Sequence, residues 1–407
     1  MIDTLNMSDI LIVGAGATGL TAGLALARAG RSVTVVGPIQ ASENARTVAL
    51  LDGSLRLLSN LGVLDSLRQD LAALETMRIV DDTDSLFRTP QVEFRASEIG
   101  LALFGENVEN NILVHRLAHL LRRQPGVTLV DDFVHKIDIL KDVGRVLTQA
   151  GRSFTARLLV AADGRNSPLR TASGITVRKW SYNQEAMTAI LAHERPHRDT
   201  STEFHTRQGP FTLVPLPPRS DAANRSSLVW LMSPTEARRR RSLDDRLLVG
   251  EIERQAHFLL GRMRLEPSRG GFGMSGMTAS KLSAHRVVLI GDAAHGFPPI
   301  GAQGLNLGMR DVAYLADCLE GSDDPGAEPV LARYEELRQT DVRLRTLGVD
   351  ILNRSLLTGL MPVDAMRGIG LISLANIKPL RRFVMRQGVM PGGPLPGLMR
   401  VHGANSR

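Results

Sequence analysis

In the stretch DILIVGAGATGLTAGLALARAGRSVTVV, Asp9 to Val36, an apolar run is cut by glycines and followed by an Ala/Leu-rich helical pattern and a second apolar run. That order is strand, turn, helix, strand, the first unit of an open parallel sheet. Gly14, Gly16 and Gly19 fill the G-x-G-x-x-G pattern directly after the strand and directly before the helix, the context that a dinucleotide-binding fingerprint requires. Gly14 makes the tight turn, Gly16 lets a pyrophosphate touch backbone, and Gly19 lets the helix pack on the strand. One part is absent. The second strand should end in Asp or Glu to hold a ribose, yet Val36 is followed by Gly37-Pro38. Gln40, Ser42, Glu43 and the backbone stand open as substitutes.

Far downstream, VVLIGDAAHGFPPIGAQGLNLGMRD, Val287 to Asp311, reads as a buried strand stopped by Gly291-Asp292, then a Pro/Gly-rich loop, then a helix beginning near Leu305. Asp292 stands at the C-terminal end of its strand, where open parallel sheets bind ligands, and its carboxylate suits a sugar-type hydroxyl. Gly301, Gly304 and Gly308 let backbone approach a flat ligand, and the first free N–H groups of the helix would stabilise a ring that becomes anionic on reduction. A third stretch, RLLVAADGRNSPLR at 157–170, is again a buried strand ending in an acid, Asp163, followed by Gly164 and, at short spacing, Ser167 and Arg170. Together the three stretches point to one extended dinucleotide lying across one sheet.

Between them, ARTVALLDGSLRLLSNLGV carries a helical stripe of Leu55, Leu58 and Leu61 with Gly62 as C-cap, and Arg46 ahead of it, placed to neutralise a phosphate. Residues 75–100 read as short strands, 113–123 as a helix and 127–130 as a strand. From about 180 to 280, strand-like pieces alternate with polar, Pro-rich loops, as an antiparallel sheet inserted into the nucleotide fold would. Two patterns inside it mislead. His193-Glu194-Arg195-Pro196-His197 spells H-E-x-x-H, but Pro196 forbids the helical turn a zinc site needs. Gly271 to Gly276 spells G-x-G-x-x-G with no strand leading in and no periodic helix leaving. Arg238 to Arg241 read as a solvated loop or helix end, and 328–407 as mainly helical with apolar and basic sides.

The fold class expected is α/β: a Rossmann-like domain in three parts (1–75, 105–178, 281–327), an inserted antiparallel-sheet substrate domain in two (76–104, 179–280), and a C-terminal helical region (328–407). At 407 residues about two or three domains are expected. A net charge of +7 would suit nucleic acid, but the basic residues are dispersed and aromatic residues are only 4%, so anionic lipid headgroups are the better counterpart. A single cysteine, Cys318, excludes an internal disulfide and a dithiol redox pair. No secretory pattern precedes the first strand and no apolar run reaches the roughly 20 residues of a membrane span. A cytoplasmic protein is expected, in peripheral contact with the inner face of the membrane.

The set GAGATG, Asp163-Gly164 and GDAAHGFPPIGAQGLNLG resembles the single-component FAD aromatic hydroxylases of the p-hydroxybenzoate hydroxylase fold, and within them the UbiH/UbiF family of ubiquinone biosynthesis. The resemblance runs nearly end to end, through GENVEN at 105–110, Trp180, Tyr182 and Gln184, HERPH at 193–197 and the C-terminal MPGGPLPGLMR. It implies non-covalent FAD at Gly14, Gly16, Gly19 and Arg46, and Asp163-Gly164 serving both FAD and transient NAD(P)H. It implies Gly291-Asp292 at the ribityl chain, and Pro299, Gly301, Gln303, Gly304, Leu305 and Asn306 along the isoalloxazine. The implied reaction is NAD(P)H reduction of FAD, O2 addition to give a C4a-hydroperoxyflavin, and hydroxylation of a polyprenylated phenol, alongside other quinone-biosynthesis proteins. No metal, no nucleic acid and no phenol-deprotonating base is assigned, and His295 is expected to support its loop. Departures from the family pattern are Gly37 in place of an acid, His115 in place of Gln or Arg, and Gly301-Ala302-Gln303-Gly304 in place of A-G-Q-G. A hydroxylase of a benzoate-like substrate, kept open by Arg207 and Arg219, a reductase, and a non-catalytic FAD-binding subunit stand as alternatives. A halogenase would need a W-x-W pair, and Trp180 and Trp230 are far apart.

Overall fold

The computed structural model describes residues 7–39, 45–83, 91–296, 303–357, 376–389 and 394–401, and of 344–357 the backbone only. The first unit is as the sequence suggests: β1 (Met7–Val13), α1 (Ala17–Arg28) and β2 (Val33–Val36). β1 lies at the centre of a parallel core ordered Val287–Leu289, Ser153–Ala161, β1, β2, Val127–Val130. These strands are near-continuous apolar runs because helices cover both faces of the sheet. Ile10, Leu11, Ile12, Leu158, Leu159, Val287 and Val288 are fully buried in one cluster with Leu20 and Leu24 of α1 and Leu117 of the helix Asn110–Leu121. Cys318 packs in the same cluster, where burial pushes its thiol up to about 11.

The stretch after Arg46 differs from the helical expectation. Thr47–Leu51 is a strand, paired antiparallel with Gly105–Glu109, and the helix starts only at Asp52. A β-branched pair, Thr47-Val48, favours the pleated surface that the 105–109 strand offers. The helix then ends at Asn60, and Gly62 turns the chain with φ +57.

The second sheet runs His295–Gly296, Met263–Ala279, Val177–His193, Arg225–Met232, Gly209–Leu216, Thr200–Thr206, Thr76–Asp82, Val92–Arg95. It is antiparallel except where Thr200–Thr206 runs parallel to Thr76–Asp82. One face packs Phe204, Phe211, Trp230 and Met187 against Leu248 and Ile252 of the helix Asp245–Gln255. The other face turns toward the parallel domain. There Ala45 packs with Ile190 and Leu216, the Thr47 hydroxyl donates to Ser227 at 2.8 Å, and the Arg46 guanidinium lies 4.8 Å above the Phe272 ring.

The two misleading patterns take ordinary places. Gly271 to Gly276 lies wholly inside the strand Met263–Ala279. His193 ends the strand Val177–His193, its ring 2.9 Å from Ser226 Oγ and 2.8 Å from the Arg195 carbonyl, while Glu194 accepts from the Arg262 N–H. Arg239 and Arg240, in the last turn of the helix Pro234–Arg241, both bind Glu251, and Arg241 binds Glu185. Toward the C-terminus the helices Glu328–Leu357 and Lys378–Val389 fit the helical expectation. Pro362, Pro391 and most of IGLISLANI lie outside the described residues.

Candidate functional site

Parallel strands place their C-terminal ends along one edge, so Gly14, Asp163 and Asp292 come from three neighbouring strands to one crevice. Backbone bonds lock the three turns to one another. Gly14 N–H donates to Val36 O, Ala162 N–H to Val13 O and Ile290 N–H to Ala161 O, all within 2.7–2.9 Å.

The fingerprint glycines divide as their spacing suggests. Gly14 has φ +114, and a Cβ there would lie 2.2 Å from Ala162 O. A Cβ on Gly19 would lie 1.9 Å from Gly14 O. Beside Gly16, by contrast, nothing lies within 4 Å. The turn is thus closed on its protein side and open at the N-terminus of α1, where unpaired N–H groups and the helix dipole favour an anion.

Asp163 turns inward. Its Oδ2 accepts the Leu169 N–H at 3.1 Å, capping the short helix Pro168–Ala172, and burial pushes its carboxyl up although Ser167 and Leu169 act against that. What the turn presents to the crevice is Gly164, at φ +82 with nothing within 4 Å of a Cβ. Arg170, buried, donates to the Ala293 and Arg165 carbonyls at 2.8 and 2.9 Å and so fastens this turn to the one carrying Asp292. Arg165 reaches both sheets: Nε lies 3.4 Å from Asp292 Oδ2, and a terminal nitrogen donates to the Ser275 carbonyl and hydroxyl at 3.1 Å. Nothing local in the sequence marks Arg165, because its partners are 110 and more positions away.

The loop that follows Asp292 leads into the helix Gln303–Leu319. Pro299 and Gly301 lie outside the described residues. Gly304 is open, with nothing within 4 Å of a Cβ. Gly308 serves packing instead of a ligand: its Cβ would lie 2.9 Å from Thr18 Oγ1 and 3.2 Å from Gly291 Cα, so the helix beds directly on the fingerprint. Asn306 is buried. Its Oδ1 accepts from Leu51 N–H and Ser54 Oγ, and its Nδ2 donates to Ala49 O, pinning the Thr47–Leu51 strand to the helix. Leu305 is half-buried against the main core, and Gln303 reaches toward the Gly388 carbonyl at 3.4 Å.

Behind the Asp292 turn is a buried ionic cluster. His295 Nε2 lies 2.7 Å from Asp311 Oδ2, which also accepts the Gly291 N–H at 2.8 Å, and Arg338 Nε donates to Asp311 Oδ1 at 2.8 Å. Burial alone would raise the Asp311 carboxyl, but His295, Arg338 and the Gly291 amide hold it below the usual carboxylate range. Tyr334 OH donates to Leu289 O at 2.9 Å. The helix Glu328–Leu357 therefore holds both ends of the Asp292 turn. His295 braces the turn through Asp311, and nothing local in the sequence marks Arg338, 27 positions from its partner.

The side of the second sheet turned toward the parallel domain mixes apolar residues, Ile190 and Leu216 packed with Ala45, and polar ones such as Ser227 and Arg225. Its cations already have partners: Arg225, fully buried, lies between Glu109 at 3.0 Å and Glu266 at 2.8 Å, and Arg219 binds Glu109 at 2.7 Å. A buried cation so paired has little left for a carboxylate ligand. Among the described residues no group of His, Cys, Asp and Glu is arranged to hold a metal ion.

Residues 7–343 match the family described as FAD binding domain. The chain is 34% identical over 406 residues to "Ubiquinone hydroxylase UbiL" of Rhodospirillum rubrum, covering 96% of this chain and 92% of that one. It is 31% identical over 399 residues to "3-demethoxyubiquinol 3-hydroxylase" of Escherichia coli, covering 94% and 98%. The fold is similar to that of p-nitrophenol 4-monooxygenase from Pseudomonas putida, with a TM-score of 0.78 at 20% identity over 96% of this chain and all of that one.

Proposed function

The chain belongs to the FAD-binding-domain monooxygenases, within the UbiH/UbiF-type ubiquinone-biosynthesis hydroxylases, and from that membership we propose that it hydroxylates the ring of a polyprenylated phenol with O2 and NAD(P)H. FAD-dependent ring hydroxylation in ubiquinone synthesis is the activity of the family; the polyprenyl tail, the nicotinamide donor and the residue roles are this proposal's own. The observation that carries it is the shared edge of three parallel strands: the open space beside Gly16 and an Asp292 turn braced by Asp311 and Arg338 lie together there, on the side where Ala45 packs with Ile190 and Leu216 of the second sheet.

The residues present fit FAD. The space beside Gly16 admits a pyrophosphate against backbone N–H groups, Asp292 is exposed for a ribityl hydroxyl, and Gly304 leaves room for a ring at the start of the helix Gln303–Leu319. Bound FAD, once reduced, supplies the activation of O2 that oxygen transfer to a phenol needs. The protein's tasks are to bind, to orient and to keep water out. The N-terminus of the helix Gln303–Leu319 would stabilise negative charge on a reduced ring held there. Arg165 links the Asp292 turn to the second sheet, so cofactor edge and substrate face are held in one register. Arg46, stacked on Phe272 at the seam, is placed to meet a phosphate and to close the seam to solvent.

An apolar substrate implies a membrane source. Among the described residues no helix is long and apolar enough to cross a membrane. The helix Lys378–Val389 buries Met385 and Val389 against Phe94 and Phe104, while Leu380, Phe383 and Val384 stay exposed, Phe383 by 61%, beside Lys378, Arg382 and Arg386. That is the composition of a helix resting on anionic lipid. Replacing Phe383 and Arg382 by Ala and Glu should cut recovery with anionic liposomes in flotation, and unchanged recovery would remove the peripheral role.

The function is tested with purified enzyme and a polyprenylated phenol lacking one ring oxygen. O2 and NAD(P)H should be consumed with formation of the hydroxylated ring, and a strain lacking the protein should accumulate that phenol. Normal ubiquinone in such a strain, with no second hydroxylase to cover the step, would overturn the substrate and leave the flavoprotein fold standing.

A further inference from the structure

We propose that Asp131, directly after the strand next to β2, is the carboxylate that holds the adenosine ribose of FAD in place of the acid missing from the end of β2. The inference rests on the FAD site described above. A ribose bound beyond the second strand needs an acceptor for its hydroxyl protons, which that strand's final acid ordinarily provides. Here the position is Gly37, and a side chain has no room in it: a Cβ would lie 2.6 Å from Ala15 N and 3.0 Å from Gly14 Cα. The pyrophosphate turn itself occupies the space.

The sheet brings another carboxylate to the same level. Val127–Val130 runs parallel to β2 with Val36 opposite Val130, and Gly37 N–H donates to Val130 O at 3.1 Å. Asp131 is therefore Gly37's neighbour one strand over, a displacement of about 4.8 Å. It is exposed, and its Oδ1 accepts the Ile39 N–H at 3.0 Å, which aims the carboxylate at the chain leaving β2 and away from the sheet. Among the described residues Oδ2 accepts no hydrogen bond, so it is placed to accept from a ribose hydroxyl. The adjacent Asp132 has other duties, accepting from the N–H groups of Phe133 and Ala150 and from Arg152.

The test uses full-length apoprotein titrated with FAD and with the dinucleotide made from FMN and 2′,3′-dideoxyadenosine. Hydrogen bonds to a charged acceptor predict that the wild type prefers FAD by roughly 10- to 100-fold. Asp131→Ala should bring FAD down to the affinity of the dideoxy dinucleotide while leaving the latter unchanged, and Asp131→Glu should restore part of the preference. An equal loss for both dinucleotides would show that Asp131 only shapes the loop through Ile39. A preference surviving in Asp131→Ala would place the ribose elsewhere. Either result overturns the assignment with FAD binding intact, whereas a wild type that binds neither dinucleotide overturns the flavin site.

Discussion

Gly14–Gly19 and Gly271–Gly276 spell the same six-position pattern, and the molecule uses them in unlike ways. The first leaves a parallel strand through a φ of +114 at Gly14 and enters α1, so the N–H groups of that helix's first turn fall where a helix has no carbonyl to offer them. The second never leaves its strand. Gly271 faces Met187, Gly273 faces Glu185 and Gly276 faces Trp180 across an antiparallel pair, in the sheet ladder where backbone groups bond one another. An anion site needs donors that the fold leaves unpaired, and the same letters supply them only where one regular element ends and another begins.

The largest effect that would test this contrast belongs to Gly19→Ala. Its Cβ would lie 1.9 Å from the Gly14 carbonyl, a backbone atom that can move only with the turn. We expect a loss on the order of 3 kcal/mol or more in denaturant unfolding, with FAD lost as well. A stable, FAD-loaded variant would break the comparison. Gly16→Ala comes next and separates fold from site. With nothing within 4 Å of the new methyl, the apoprotein should melt within about 0.5 kcal/mol of wild type, while FAD affinity by flavin fluorescence falls at least about tenfold. Gly276→Ala should do the reverse. Its methyl would meet the Trp180 indole at 2.1 Å and cost about 1–3 kcal/mol, with FAD affinity of the folded fraction unchanged. Smallest is Gly273→Ala, with nothing within 4 Å: stability unchanged or raised by up to about 1 kcal/mol, and FAD titration superimposable on wild type. A weakened FAD affinity there would mean that the second pattern is part of the site after all.

A second contrast concerns what holds each turn. The fingerprint is held by backbone fit, so it is written in consecutive letters. The Asp292 turn is held by Asp311, Arg338, Arg170 and Arg165, side chains drawn from several elements. Asp292 could be singled out from its place after an apolar run, but nothing in the motif told that Asn306 and Gly308 also fasten their helix to Ala49 and Thr18. Their spacing in the motif says that backbone passes closely; it does not say whether a ligand or another helix is what it passes.

From sequence alone came the strand-turn-helix-strand unit, the acid-ended strands at Asp163 and Asp292, the inserted sheet and the lack of a ribose acid at Gly37, because each is a local pattern of apolar period, glycine conformation or residue type. Tertiary structure alone decided that Asp163 turns inward to Leu169, that Thr47–Leu51 becomes a strand on Gly105–Glu109, and that Arg219 and Arg225 are already paired with Glu109 and Glu266. It also brought Asp131 beside Gly37, 94 positions away in the chain, because the parallel register sets Val130 opposite Val36. Periodicity records which face of an element is buried, but the partner that covers it is chosen by the packing of the whole chain, and a side chain's charge takes its role from that partner.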